Sequence, residues 1–229
     1  MTIDLNCDMG ELEDAAHEAA LMEYVSSANI ACGGHAGDEE TMERTARLAL
    51  ARKVNIGAHP GYPDRAGFGR VAMPLSAAGV ECAVWEQIGR LEAVVRRLGG
   101  AIAHVKPHGA LYNVAARNRE TAQAIGRAVA RWNPRATLFG LAGSPALDLW
   151  REMGLPVAAE AFADRRYEPD GSLRSRSLPG ALITGPREAA AQALRFAREG
   201  RAQTICVHGD TPGAVEILKA CREALAGSH

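Results

Sequence analysis

The sequence predicts an α/β fold whose parallel strands close into a distorted seven-stranded β/α barrel, a single domain over residues 1–229. Three observations carry that prediction. Strand-like apolar runs alternate with helical segments from end to end, and right-handed crossovers then place the strands in one parallel sheet. Several strands are apolar on one face and polar on the other. The polar residues crowd toward the strand C-termini, where β/α barrels keep their active sites.

Strands are expected at 2–6, 27–32, 54–58, 102–106, 137–141, 156–160 and 203–208, and helices at 11–24, 38–53, 76–98, 119–132, 145–153, 186–199 and 212–225. Asp38, Ser76, Ser144 and Thr211 suit N-caps, and Pro145, Pro186 and Pro212 suit first turns. Gly99, Gly154 and Gly200 suit helix ends. An open α/β sheet, covered by helices on both faces, would have strands apolar on both. Here Ile3, Leu5 and Cys7 oppose Asp4, Asn6 and Asp8, while Ile205 and Val207 oppose Thr204, Cys206 and His208. Such parity suits a barrel whose inner wall lines a polar cavity.

A net charge of −1 and a pI of about 6.7 give no reason to expect a nucleic-acid or membrane surface. The N-terminus lacks a basic and apolar leader, and no apolar run is long enough for a bilayer. Five cysteines without a Cys-x-x-Cys pair read as buried thiols in a cytoplasmic protein. Cys206 is the one whose parity matches His208. His17 and His229 are read as solvated.

The densest polar stretch is His104-Val-Lys-Pro-His-Gly-Ala-Leu-Tyr-Asn113. On a strand, His104, Lys106 and His108 share a face, and Lys106 is one of three lysines among many arginines. Further polar loops follow the other strands, with Asp8 and Glu11, His35, His59 and Asp64, Asp164 and Arg165, then His208 and Asp210. No Gly-Lys pair exists, so a P-loop is excluded. Gly67-x-Gly69 neither follows a strand directly nor opens a helix, and no nucleophile elbow is present. Asp164 and Arg165 are read either as an ion pair or as substrate contacts. A metal bound by Asp8, His35 and His59 stays open as an alternative. His104 and His108, about 13 Å apart on an extended strand, could share an ion only if His108 lay beyond the strand and folded back.

Six motifs resemble the LamB/YcsF family, whose members are A subunits of prokaryotic 5-oxoprolinase: residues 4–11, 27–38, 57–64, 104–113, 160–167 and 206–210. The resemblance implies a β/α barrel related to sugar deacetylases. It also implies ATP-dependent opening of 5-oxo-L-proline to L-glutamate with B and C subunits, ATP being a co-substrate. Association of the chain with itself, and a divalent metal, are left open. The alternative activity is that of a stand-alone metal-dependent deacetylase or amidohydrolase. Two departures stand out. Family members usually carry a longer segment between Gly200 and Gln203, which puts a lid or docking surface in question. Gly34 replaces a common aromatic residue, which implies a wider pocket mouth.

On this reading Asp8, His59, Lys106 and His208 are the catalytic candidates. Asn6, His35, His108, Asp164, Arg165 and Asp210 are the substrate-binding ones. Lys106 and Arg165 would hold a carboxylate or phosphate, and Asp8, His59 or His208 would act as general base. Backbone amides at 33–37 would bind an anion at the start of the helix at Asp38, and a partner would share the nucleotide site. Lys106→Met is expected to change stability by no more than about 2 kcal/mol, because it relieves a basic cluster.

Overall fold

The computed structural model describes residues 3–227; Thr2 and His229 lie outside them. The strands are β1 (Asp4–Met9), β2 (Ser27–Ala31), β3 (Asn55–His59), β4 (Ile102–Val105), β5 (Thr137–Leu141), β6 (Val157–Phe162) and β7 (Thr204–Cys206). All pair in parallel, each with its neighbour in sequence, and β7 closes on β1 through Asp4–Thr204, Leu5–Ile205 and Asn6–Cys206. The predicted seven-stranded barrel is therefore present.

Around it lie α1 (Ala15–Met22), α2 (Glu39–Arg52), α3 (Ala77–Arg97), α4 (Gly109–Ala115), α5 (Arg119–Trp132), α6 (Pro145–Glu152), α7 (Pro186–Arg198) and α8 (Ala214–Ala226). Asp14, Asp38, Ser76 and Asn118 cap α1, α2, α3 and α5, each accepting from first-turn backbone N–H groups. Ser144 precedes α6 without a side-chain cap bond. Thr211 does not cap α8: Gly213, with φ of 76°, starts that helix, and the Thr211 hydroxyl donates instead to Asp164 Oδ2 at 2.5 Å. α4 is an addition to the expected helices; it follows directly on the His108 loop.

Apolar residues on the outer faces of the strands, such as Cys7, Ile30, Val105 and Ile205, pack against the helices to form the main core. The inner faces are polar, but the lower half of the barrel is filled rather than open. Asn6 Nδ2 donates to Glu160 Oε1 at 3.0 Å and Thr204 Oγ1 at 2.6 Å, and Asn29 Nδ2 donates to Asn6 Oδ1 at 2.7 Å. His104 Nε2 donates to Asn29 Oδ1 at 2.7 Å while its ring stacks on Phe139 at 4.2 Å. These inward polar groups thus find partners across the barrel, as burial requires, although Glu160 Oε2 is buried without one. Gly57 makes room for this floor, since a Cβ there would sit 2.0 Å from His104 Nε2.

The turn from α7 to β7, at 199–203, lies at the N-terminal end of the strands. Its shortness therefore cannot remove a lid from the opposite, C-terminal mouth, contrary to the expectation from sequence. Gly34 also lies off that mouth: it packs on Gln87, whose side chain bonds Gly61 on both backbone groups.

Candidate active site

A cavity of about 500 Å³ opens at the C-terminal end of the barrel. Its base is made of Asp8, His59, Lys106 and His208, delivered by the ends of β1, β3, β4 and β7, with Phe162 from β6. Its rim is basic, with Arg70, Arg117, Arg165, Arg174 and Arg176. Much of that rim comes from the long excursion between β6 and α7, which doubles back through the antiparallel bridges Arg165–Leu182 and Tyr167–Leu173.

Lys106 leaves β4 one residue after its end and is only 3% exposed. Its Nζ lies 2.8 Å from Asp8 Oδ1, 3.0 Å from Glu160 Oε1 and 3.1 Å from Cys206 Sγ. Burial opposes the charge, but Asp8 and Glu160 outweigh it and hold the ammonium well above its ordinary pKa. The basic cluster expected on this face therefore does not exist, because Lys106 is an internally neutralised cation. Burial likewise opposes ionisation of Asp8, and His59 and Lys106 overcome it. Burial pushes the Cys206 thiol up, which leaves it unreactive.

His208 is the better placed acid–base group. Its Nδ1 stands 3.0 Å from Asp164 Oδ2 and its backbone N–H donates to the same oxygen at 3.0 Å. Asp164 also accepts from Thr211 Oγ1. Burial resists the Asp164 charge, yet His208 and Thr211 hold the carboxyl below its ordinary value. A carboxylate accepts, so Nδ1 carries the proton and Nε2 keeps the lone pair, on a ring that lines the cavity. Asp164 is fully buried and does not pair with Arg165; it positions His208 rather than touching a substrate. The Arg165 Nη2 donates to Arg174 O at 2.6 Å, its Nε is buried without a partner, and no carboxylate lies within ion-pair distance among the described residues. Burial, and then the nearby Arg176, bear against its charge. Tyr112 Oη, on the cavity wall, is also buried without a hydrogen bond of normal geometry; burial and the nearby Glu160 carboxylate raise its pKa well above the ordinary phenol value.

The histidines form a second group beside Asp8. His59 Nδ1 donates to Lys106 O at 2.7 Å, and His108 Nε2 donates to Phe68 O at 2.9 Å. Their other nitrogens, His59 Nε2 and His108 Nδ1, face each other at 3.0 Å. Glu11 Oε1 lies 3.1 Å from His108 Nδ1, 3.6 Å from His59 Nε2 and 2.8 Å from His35 Nε2. Burial pushes His35 down to about 4, so it is neutral and donates to Glu11. His108 does lie beyond its strand and fold back, as a shared ion would need, but its neighbours are His35 and His59, and His104 stays in the floor.

Asp8, His59, Lys106, His108, Arg165, His208 and Asp210 thus meet at the cavity, whereas Asn6, His35 and Asp164 lie behind its wall. Asp210 is held by Arg70 at 2.5 Å and Arg176 at 2.9 Å. No residue of the loop at 33–37 lines the cavity, although its His35 reaches Glu11 from behind the wall. The Asp38 carboxylate already occupies the α2 N-terminus through Thr41 N at 2.8 Å, which disfavours a bound anion. His17 is half-buried, with Nε2 3.0 Å from Gly209 O. Sequence reasoning misses Glu160 and the arginines at 174 and 176. Glu160 stands inside one of the six motifs, so a buried acid opposite Lys106 is a signal that could find it. The arginines have no local signal.

The model of the LamB/YcsF family matches residues 3–229. The chain belongs to the LamB/YcsF family. It is 50% identical to the 5-oxoprolinase A subunit of Chloroflexus aggregans, over 98% of this chain and 95% of that protein. It is 46% identical to the one from Heliobacterium modesticaldum, over 98% and 94%. The crystal structure of a lactam utilization protein from Thermus thermophilus is 44% identical, covers 100% of this chain and 97% of its own, and superposes with a TM-score of 0.92. A putative cellobiose-phosphate cleavage protein of Enterococcus faecalis, 15% identical with a TM-score of 0.57 over 98% and 93%, shares the fold.

Proposed function

We propose that this chain is the A subunit of an ATP-dependent 5-oxoprolinase, which opens the lactam of 5-oxo-L-proline to L-glutamate together with B and C subunits in the cytoplasm. The relatives' names support the reaction class. The observation that carries it at the site is His208, oriented by Asp164, beside a cavity with an unpaired buried arginine.

An unstrained lactam is a poor electrophile. Transfer of the γ-phosphoryl group of ATP to the lactam oxygen releases ADP and leaves an imidate-like carbon open to water. Water adds to that carbon and the C–N bond breaks, the nitrogen leaving with a proton as the free amine of an acyl phosphate, γ-glutamyl phosphate. A second water then cleaves the acyl phosphate to L-glutamate and inorganic phosphate. His208 Nε2 takes the proton from the attacking water, with Asp164 stabilising the imidazolium. Arg165 Nε and Tyr112 Oη donate to the substrate carboxylate or to the phosphoryl oxygens. Lys106 keeps Asp8 ionised and fixed at the cavity base. The basic rim suits a polyanion handed over from a partner, since this chain has no P-loop.

The test is to mix the purified chain, ATP and 5-oxoproline with and without B and C subunits of a close relative, and to assay glutamate. Glutamate should form only with all three subunits. Robust turnover by the chain alone would refute the multi-subunit reading. Acetate release from an acetylated sugar by the chain alone would replace the lactam reading with the deacetylase one.

A further inference from the structure

We infer that Glu11, His59 and His108 form a binding site for one divalent transition-metal ion of the zinc type, with His35 as the residue that positions Glu11. Backbone carbonyls only accept, so the bonds to Lys106 O and Phe68 O place the protons on His59 Nδ1 and His108 Nε2. In the neutral rings the two remaining nitrogens are lone pairs, and they face each other at 3.0 Å with the Glu11 carboxylate beside them. Three electron-rich atoms so placed repel one another unless a cation, either a proton on His59 Nε2 or a metal ion, lies among them.

Their spacing fits an ion. Ligands about 2.1 Å from a tetrahedral zinc stand about 3.4 Å apart, and the three separations are 3.0, 3.1 and 3.6 Å. Histidine ligands characteristically give their second N–H to a carbonyl or carboxylate, as both rings do here. His35 does not complete the set, although its Nε2 also approaches Glu11. Its ring lies flat on His108, 3.6 Å away and 1° from parallel, so the in-plane lone pairs of the two rings cannot meet at one ion. It donates to Glu11 instead, from outside the cavity. Glu11, His59 and His108 all line the cavity, so the ion's open coordination position faces it. Asp8 Oδ2, 3.4 Å from His59 Nε2, is the other carboxylate oxygen at hand.

This set differs from the Asp8, His35 and His59 read from the sequence, and it does not depend on the lactam reading. A rival arrangement exists nearby, because Asp8, Cys206 and His208 also bring ligand atoms together. The two are separated by sulfur.

The test uses the full chain, stripped with chelator and dialysed. Titration with zinc chloride should show one equivalent bound and a rise in thermal midpoint. Cobalt(II) should give visible d–d bands without a thiolate charge-transfer band. His59→Gln and His108→Gln should each weaken binding at least 100-fold, and His35→Gln about 10–100-fold. No binding by folded wild-type chain would overturn the proposal and assign the cluster a shared proton instead. A thiolate band, or binding unchanged in His108→Gln, would also overturn it by placing the ion elsewhere. The wild-type readouts stand even where a variant fails to fold, and none of them involves 5-oxoproline.

Discussion

Lys106 keeps its charge in a buried position because Asp8 and Glu160 stand 2.8 and 3.0 Å from it. Removing it would strand two carboxylates in the barrel, so Lys106→Met should cost about 3–5 kcal/mol, well above the effect expected from the sequence. Urea unfolding of the purified variant measures this, and a loss below about 1 kcal/mol would show that Asp8 and Glu160 find other partners. His104 gives a pH signature. Burial pushes it down to about 4, whereas in the unfolded chain it titrates near 6.5. Between these values the unfolded chain binds a proton that the folded one refuses, so stability falls as pH drops through that window. His104→Gln, which can still donate to Asn29, should lose about 3 kcal/mol less than wild type between pH 7 and 4. Parallel acid-unfolding curves for the two proteins would contradict this.

Element by element, what the chain announces are the strands, their order and the alternation of polar and apolar faces. Those follow from local periodicity, which each strand carries by itself. β1 runs on to Met9, past its expected end, because Cys7 and Met9 pair with β2, a contact no local pattern records. α4 is hidden by Pro107 and Gly109, which read as loop. Asp164 is ambiguous in the sequence for a related reason: its partners, His208 and Thr211, come from across the barrel, not from its sequence neighbour Arg165. The β3–β4 pair also slips register at Ile56/Gly57, where the glycine leaves space for His104. Gly57→Ala should therefore cost about 1–3 kcal/mol or more by forcing His104 off Asn29 and Phe139. Gly89→Ala, in α3 with nothing within 4 Å of the new Cβ, should gain about 0.5–1 kcal/mol. Thermal midpoints of the two variants should move in opposite directions, and a shared sign would contradict the packing described.

Over the whole molecule, the barrel divides along its axis. The lower half is a closed polar network that holds the strands, and the C-terminal half is a cavity with His208 and the Glu11 cluster at its base and arginines around its rim. The chemistry assigned to the cavity depends on His208 being able to take a proton from water. The measurement that tests this most directly is glutamate formation by His208→Gln together with the B and C subunits of the proposed complex. His208 is 16% exposed at the cavity base, so the variant should fold and assemble. Its turnover should fall about 10²–10⁴-fold, with KM for 5-oxoproline within a few-fold and only a small drop in thermal midpoint, because the backbone N–H of residue 208 and the Thr211 hydroxyl still bond the buried Asp164. Turnover close to wild type, in a complex that assembles normally, would contradict the account.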